Sequence, residues 1–490
     1  MPPLRQRPAA QVLLLIAATT LVKVLVTIQT ELTSAETYLW MCAKHPAPGY
    51  FDYPPLVAWM IALSTALFGE SALAVRLPTI LAGAGTTWFV FLAGRRLYDE
   101  ATGALAAFLA GLAPLTFAWG AEALCDSPML LFWAATLWAL ARVFSGGRPA
   151  WWYAAGACMG LSMLGKYHGV FLGVGTLVFL LGSPEHRGWL RRKEPYLAAL
   201  LSLAAFSPAI AWNAMNGWES FRYQGLSRFG ERGTSSKEIL EFPYKQLVLM
   251  TPFIALWAWG SGFRTLARWT QSSWQDRFGA AMGMTVLVFF LVMVFIRGGR
   301  GHWPLPGYLG ALLLSAAVVR RGGSWGRRLH AGSLAVLGAV YLLAPLLLAF
   351  VPRPQLTGWQ QLAEEVKRMK PDFIVAREYH HASQMGYHAR PLPAFEYTAM
   401  GQPSKNFPHW WRGEDFAGKT AVVVLDERHF PSGFDRVKAC FEKVGEPVFV
   451  AAGRVRLFGI GEGSEKFRLY RAEGFRPPPL QPRGAETPAD

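Results

Sequence analysis

The strongest constraint on this chain is a repeated one. Apolar stretches close to the ~20 residues that a helix needs to cross a bilayer recur through roughly the first 350 positions. They fall near residues 10–29, 76–94, 101–118, 128–145, 150–165, 168–183, 195–212, 246–263, 279–296, 304–319 and 330–351. A bilayer core offers no water, so backbone groups there must pair within their own segment, as a helix does. The sequence therefore predicts a polytopic α-helical membrane protein of about 11 spans, with short or interrupted pieces near 57–68, 150–165 and 304–319. Composition agrees, since 52% of residues are hydrophobic and only 16% are charged. The first run is long and lacks a clear small-residue cleavage site, so it reads as a retained span.

Orientation follows from the basic residues, because short loops rich in Lys and Arg stay on the cytoplasmic side. Arg5 and Arg7 precede the first span. Alternate connections then carry Arg95-Arg96, Arg142 with Arg148, Arg187 with Arg191-Arg192-Lys193, Arg264 with Arg268, and Arg320-Arg321 with Arg327-Arg328. This places the N-terminus inside. The net charge of +16 is thus a matter of topology, and with no nucleic-acid motif beside it no nucleic-acid partner is expected.

The opposite face receives the polar chemistry. The loop Glu31–Leu56 sets Glu36 and Asp52 among Tyr38, Trp40, Tyr50, Phe51 and Tyr53, and Pro54-Pro55 closes it. It reads either as an ordinary connection or as a place to bind a sugar and activate a hydroxyl. The same face takes Glu122 and Asp126, Lys166 and His168, the segment 213–244 with Arg222, Arg228, Arg232 and Lys237, and the turn with Arg297, Arg300, His302 and Trp303. Ionisable residues at membrane depth are costly and mark pathways or sites.

From about 352 the composition turns mixed. Strand-like runs at 373–376, 420–426, 447–453 and 455–461 alternate with helical patterns at 359–370 and 433–443. The expected organisation is a membrane domain over 1–351 (its first outer loop 30–56), a small C-terminal α/β or α+β extracytoplasmic domain over 352–470, and a disordered Pro-rich tail over 471–490. Cys42, Cys125, Cys158 and Cys440 show no metal-ligand spacing; a Cys42–Cys125 disulfide is one reading and unpaired thiols the other. His380-His381 would point apart in a strand. No Walker loop or dinucleotide fingerprint occurs.

The run AETYLW…GYFDYPPLVAWMIALSTALFGESALAVRLPTILAG resembles the opening of membrane glycosyltransferases related to the dolichyl-phosphate-mannose protein mannosyltransferases and the lipid A aminoarabinose transferases, of the GT-C class. The family pattern there is DEAYYW…GYFDHPPL…VRLP. Later stretches keep step over about residues 10–350: CDSPMLLFWAATLWAL, LGKYHGVFL, FSPAIAWNAMNGWESFRYQ and GHWPLPGYLGALLL. The resemblance implies an inverting transfer of sugar from a polyprenyl-phosphate donor to an acceptor hydroxyl at the outer face. Such a reaction needs a carboxylate to take the proton, cations to hold the phosphate, and a dry groove for the isoprenoid.

The family keeps an Asp-Glu pair in the first loop where this chain has Ala35-Glu36. The expected base is therefore Glu36, with Asp52 second. Tyr53 replaces the family's His and bears on sugar or acceptor choice, and Tyr38 is a binding candidate in the same loop. Asp126 matches an Asp of the second outer loop and is assigned to acceptor, sugar or metal contact, the alternative being a helix N-cap. Lys166 is the first candidate for the lipid phosphate, the alternative being a Lys that snorkels to the interface. Arg76, Arg222 and Arg300 are further phosphate candidates. His302 and Trp303 either stack on sugar or line the membrane interface, and His168 stands where the family often has Thr. The sequence names no certain cofactor, and a divalent metal is left open. The acceptor classes are a glycolipid such as lipid A or lipopolysaccharide, another envelope glycan, or protein Ser/Thr, with a bacterial inner membrane as the setting. Two rival readings exist. A transporter is disfavoured because the mid-span helices carry almost no charge. A catalytically silent binder of lipid-linked sugar is kept open by Ala35.

Overall fold

The computed structural model describes residues 7–227, 236–349, 358–396, 405–427, 430, 434–452 and 465–477. Arg228, Arg232 and the strand expected at 455–461 lie outside these residues. The chain forms two compact units, one of residues 1–27 and 47–346, the other of 28–46 and 347–490.

The first unit is helical. In chain order come α1 (Pro8–Thr27), α2 (Ser34–Lys44, of the second unit), α3 (Leu56–Phe68), α4 (Ala72–Leu97), α5 (Glu100–Leu112), α6 (Pro114–Trp119), α7 (Asp126–Phe144), α8 (Trp151–Gly165), α9 (Val170–Gly182) and α10 (Lys193–Met215). Helices Ser236–Met250, Pro252–Ala267, Trp274–Arg297, Leu305–Arg321 and Ser324–Ala349 follow. Among the described residues, six helices are long and apolar enough to cross a membrane, and α3, α5 and the helical segment Tyr167–Gly182 are apolar but shorter. The span expected over 246–263 is bent by 112° between Met250 and Pro252. Thr251 at the bend has φ +66°, a region that a β-branched residue adopts only under constraint, and Pro252 cannot donate a helix hydrogen bond back across it. The span expected over 101–118 is likewise divided at Ala113, before Pro114.

Two features show why this sequence suits lipid. Leu13, Leu14 and Leu21 of α1 and Leu200 and Leu203 of α10 point outward with 51–64% exposure, a surface that water would penalise and acyl chains accept. Inside, small residues bring backbones together: a Cβ on Gly156 or Gly160 of α8 would lie 2.2 or 2.4 Å from the carbonyl oxygens of Ala198 and Ser202 on α10. Helix packing in lipid rests on such close van der Waals approach.

The second unit is a mixed sheet with helices. Strands β1 (Phe373–Ala376), β2 (Ala394–Glu396), β3 (Ala421–Asp426), β4 (Phe441–Val444), β5 (Val448–Ala452) and β6 (Glu465–Phe475) are ordered β2-β1-β3-β6-β4, and β5 also pairs with β6. β1 runs parallel to β2 and β3, while β6 is antiparallel to β3, β4 and β5. All residues of β1, β2 and β3 are buried, as continuous apolar runs in a covered sheet should be. β6 enters the region expected to be disordered from 471, where Arg471 and Ala472 pair with Val422 and Ala421. The helix expected over 433–443 is Phe434–Lys438, and β4 takes up its second half. His380 and His381 lie on the helix Tyr379–His388, not on a strand.

Helix α2 belongs to this unit, although the sequence assigns its loop to the membrane domain. Its interior run Glu36–Ala43 is wholly buried. Trp40 meets Tyr387 edge-on at 5.1 Å, and Gln384 Nε2 donates to Leu32 O at 3.1 Å. Glu31 receives backbone N–H groups of Gly358, Trp359 and Gln360 at the start of helix Trp359–Arg368. A carboxylate from a distant segment thus caps that helix, while burial raises the pKa of Glu31 above the usual range.

His388, at the end of its helix, is held down to about 4 by burial, with Arg390 and Lys367 adding repulsion. The unfolded chain takes up this proton near pH 6.5 and the folded unit does not. Stability from His388 is therefore complete above pH 6.5 and is lost as pH falls from there toward 4. The loss is on the order of 3 kcal/mol. Thermal unfolding of wild type and His388→Gln between pH 7.5 and 4.5 should show a steeper fall for wild type; parallel curves would contradict this.

Candidate functional site

The GYFDYPP loop is built as a rigid turn. Tyr50 N donates to Tyr53 O at 3.1 Å, Ala47 N to Tyr50 Oη at 3.2 Å, and Trp59 Nε1 on α3 to Ala47 O at 2.9 Å. Gly49 lies so close to α10 that a Cβ would stand 2.8 Å from Trp212 Cβ. Asp52 ends up 2% exposed, while Tyr53 is half-buried. From below, Gln224 Nε2 donates to Asp52 O at 2.6 Å, and Tyr223 packs on Phe51 at 4.8 Å.

That support depends on a reversal after α10. Gly217 and Trp218 both take positive φ, +62° and +63°. Trp218 N donates to Asn213 O at 2.7 Å, and Asn213 Oδ1 accepts from Phe221 N at 3.1 Å. A tryptophan in the left-handed region is uncommon and persists only where its surroundings fix it. The reversal delivers Ser220, Tyr223 and Gln224, and Ser220 Oγ lies 2.7 Å from Tyr167 Oη.

Asp126 opens α7, and its side chain does not cap the helix: Cys125 holds the cap position, without a side-chain cap bond. Asp126 instead reaches Lys166, at the end of α8, with Nζ 2.8 Å from Oδ1 and both side chains largely buried. Gly165 makes this meeting possible, since a Cβ there would stand 2.7 Å from Met129 N on α7. Ser162 Oγ adds a 3.1 Å bond to Met129 O. Gly165→Ala should force α8 off α7 and part the ion pair. A loss of about 1–3 kcal/mol of stability is expected from the overpacked contact; an unchanged thermal unfolding midpoint would contradict it.

Cys125 feels the fields of Asp126, Lys166 and Asp52, and Tyr167 that of Asp52. Asp52, Asp126 and Lys166 thus converge within one unit. His168 is stacked on Phe290 at 5.1 Å and faces Trp303 at 6.4 Å; His302 meets Trp119 at 5.5 Å. Trp303 is 6% exposed and part of the core, so it does not form an interfacial belt. Its turn is pinned by Gln246 Nε2 to Gly301 O at 2.7 Å, with Tyr308 Oη donating to Gln246 Oε1 at 3.0 Å. Arg76 is buried in α4, whereas Arg222 and Arg300 are exposed.

Glu36 and Tyr38 lie in the second unit. Thr33 N donates to Glu36 Oε2 at 2.8 Å and Glu36 N to Thr33 Oγ1 at 3.4 Å, a reciprocal capping box at the start of α2. Tyr38 accepts from Asn406 Nδ2 and lies edge-on to Tyr379 at 5.1 Å. All four cysteines are free thiols. Among the described residues, no three Asp, Glu, His or Cys side chains are arranged to hold a metal.

Sequence reasoning passed over Gln224, Asn213, Ser220 and Gln246. Asn213, Ser220 and Gln224 lie in the stretch FSPAIAWNAMNGWESFRYQ that keeps step with the family, but neither that match nor their polarity tells a support from a solvated loop end.

The family model described as dolichyl-phosphate-mannose-protein mannosyltransferase matches residues 52–212. The lipid A galacturonosyltransferase RgtD of Rhizobium johnstonii is 23% identical over 324 residues, 64% of this chain and 66% of that protein. The undecaprenyl phosphate-alpha-4-amino-4-deoxy-L-arabinose arabinosyl transferase of Pseudomonas aeruginosa is 29% identical over 301 residues, 58% of this chain and 52% of that protein. The chain therefore spans between half and two thirds of the length of these relatives. The crystal structure of ArnT from Cupriavidus metallidurans bound to undecaprenyl phosphate matches at a TM-score of 0.64 and 15% identity, over 94% of this chain and 98% of that one.

Proposed function

We propose that this chain, of the GT-C class of membrane glycosyltransferases by its matched segments and its fold, moves a sugar from a polyprenyl-phosphate donor to a cell-envelope acceptor. The observation that carries this reading is the Asp126–Lys166 pair at the ends of two apolar helices, with the buried Asp52 near Cys125 beside it, within the fold of a protein solved with undecaprenyl phosphate. The names of the relatives favour lipid A or a related glycolipid as acceptor. In this reading the chain has about eleven spans, its N-terminus is cytoplasmic, and its second unit lies outside the inner membrane.

The acceptor oxygen attacks the anomeric carbon as the bond to the phosphate oxygen breaks. Asp52 takes the hydroxyl proton, and the bonding pair leaves with the lipid phosphate. Lys166 faces that growing charge. Asp126 keeps the Lys166 ammonium in place and turns toward sugar or acceptor hydroxyls. Asp52 is preferred to Glu36 because Glu36 already serves the capping box of α2, while Asp52 shares a unit with Lys166. Arg76, Arg222 and Arg300 supply further positive charge for the phosphate. Tyr53, His168 and His302, all only partly buried, contact sugar, acceptor or lipid.

The test is product analysis. Membranes containing the protein, given labelled undecaprenyl-phosphate sugars and envelope glycolipid, should yield labelled glycolipid with inverted anomeric configuration. Retained configuration would sink the single-displacement mechanism. The second reading, a silent binder of lipid-linked sugar, is favoured by Ala35 and predicts donor binding without product.

A further inference from the structure

One cation is buried where none of the chemistry above uses it. Lys23 lies in α1 and is 5% exposed. Its ammonium fills a notch left by two glycines. A Cβ on Gly120 would stand 2.6 Å from Lys23 Nζ, and one on Gly83 3.2 Å. The ring of Phe117 on α6 is centred 5.0 Å away, within cation–π range. Among the described residues no carboxylate pairs with it.

The notch opens on a cavity of about 10 Å³ lined by Lys23, Thr86, Thr87, Thr116 and Ser127, room for about one water. Each hydroxyl gives its proton to a backbone carbonyl: Thr86 to Ala82, Thr87 to Gly83, Thr116 to Ala113, and Ser127 to Trp119. They therefore turn lone pairs, not protons, to the cavity. An acceptor-rich lining of this kind suits an ammonium with three donors and repels an anion.

The cavity sits beneath the site. Gly120 begins the turn that ends at Asp126, and Ser127 follows Asp126 on α7. The carbonyl that Ser127 holds, that of Trp119, closes the other end of the same turn. Lys23 thus abuts Gly120 at one end of the segment that presents Asp126 and shares a cavity with Ser127 at the other.

We infer that Lys23 is a positioning residue. Its ammonium gathers the cavity's lone pairs and fixes the 120–125 turn that leads to Asp126. Lys166 pairs with Asp126, while Lys23 faces the Phe117 ring and shares its cavity with the four hydroxyls. The inference rests on the reading of Asp126 and Lys166 as part of a transfer site.

Hydrogen exchange and transfer kinetics on the full chain in nanodiscs test it, with wild type, Lys23→Met and Gly120→Ala. Both variants should exchange amides 119–127 about tenfold faster with protection of α8 and α10 unchanged. Transfer kcat should fall about tenfold in both, because the turn that presents Asp126 is loosened. The donor KM should stay at the wild-type value in both. Wild-type exchange at 119–127, a uniform loss of protection, or an unchanged kcat in Lys23→Met overturns the inference. Exchange needs no activity, so a wild type that transfers no sugar overturns the functional reading and leaves Lys23 to be decided by the exchange data.

Discussion

Asp52→Asn is expected to lower sugar transfer by about 10²–10⁴-fold, the usual worth of a positioned general base. The amide keeps the size of the carboxylate and leaves the backbone carbonyl that Gln224 holds, so the turn should survive and the donor KM should change little. Loss of kcat at constant KM is the mark of an interaction made only in the transition state. Glu36→Gln should behave differently. It weakens a helix cap worth about 1 kcal/mol, so its effect should fall on stability of the second unit before it falls on turnover. If Glu36→Gln alone abolished transfer at normal expression, the base would lie in α2 and Asp52 would be reduced to a turn acid.

The second large effect concerns the buried ion pair. Lys166→Met leaves the Asp126 carboxylate without its 2.8 Å partner in a site where both side chains are about one-tenth exposed. Breaking such a pair from one side costs about 3–5 kcal/mol, whereas replacing both members is often near neutral. The double variant Asp126→Asn with Lys166→Met should therefore recover most of the lost thermal stability. It should not recover transfer, because the ammonium that faces the leaving phosphate is gone. Equal destabilisation in the single and double variants would mean that the pair does not hold α7 against α8. Full activity in either would remove Lys166 from the phosphate site.

How much of this could be read from the chain varies with the range of the interaction. Each apolar run produced a helix or part of one, because satisfaction of the backbone in lipid is a local demand. The bend at Thr251-Pro252 also had a local sign, the proline, which the apolar run masked. The union of Asp126 with Lys166 was half-legible. Both were singled out, but for separate duties, since nothing local says that a Gly165 without a side chain lets the two helices meet. The place of α2 was not legible at all. Its partners, Gln384 and the backbone of 358–360, lie more than 300 positions away, and only tertiary packing tells which body a short helix joins. β6 shows the opposite error. Lys466 to Leu469 alternate polar and apolar as a strand should, yet charge and the prolines that follow drew the boundary of disorder too early. The structural duty of Glu36 had a plain local sign: a Thr at 33 with a Glu three residues on is a capping-box signature in the residues themselves.

The central claim is that a polyprenyl-phosphate sugar is consumed here. The most direct measurement is the release of undecaprenyl phosphate from a defined donor by purified protein in proteoliposomes, followed by mass spectrometry with and without glycolipid acceptor. Wild type should show acceptor-dependent release, one lipid phosphate per sugar transferred, and Asp52→Asn should release it only at the background rate. Donor that binds but is never consumed, across the available sugars and acceptors, would contradict the claim and leave a binding protein in its place.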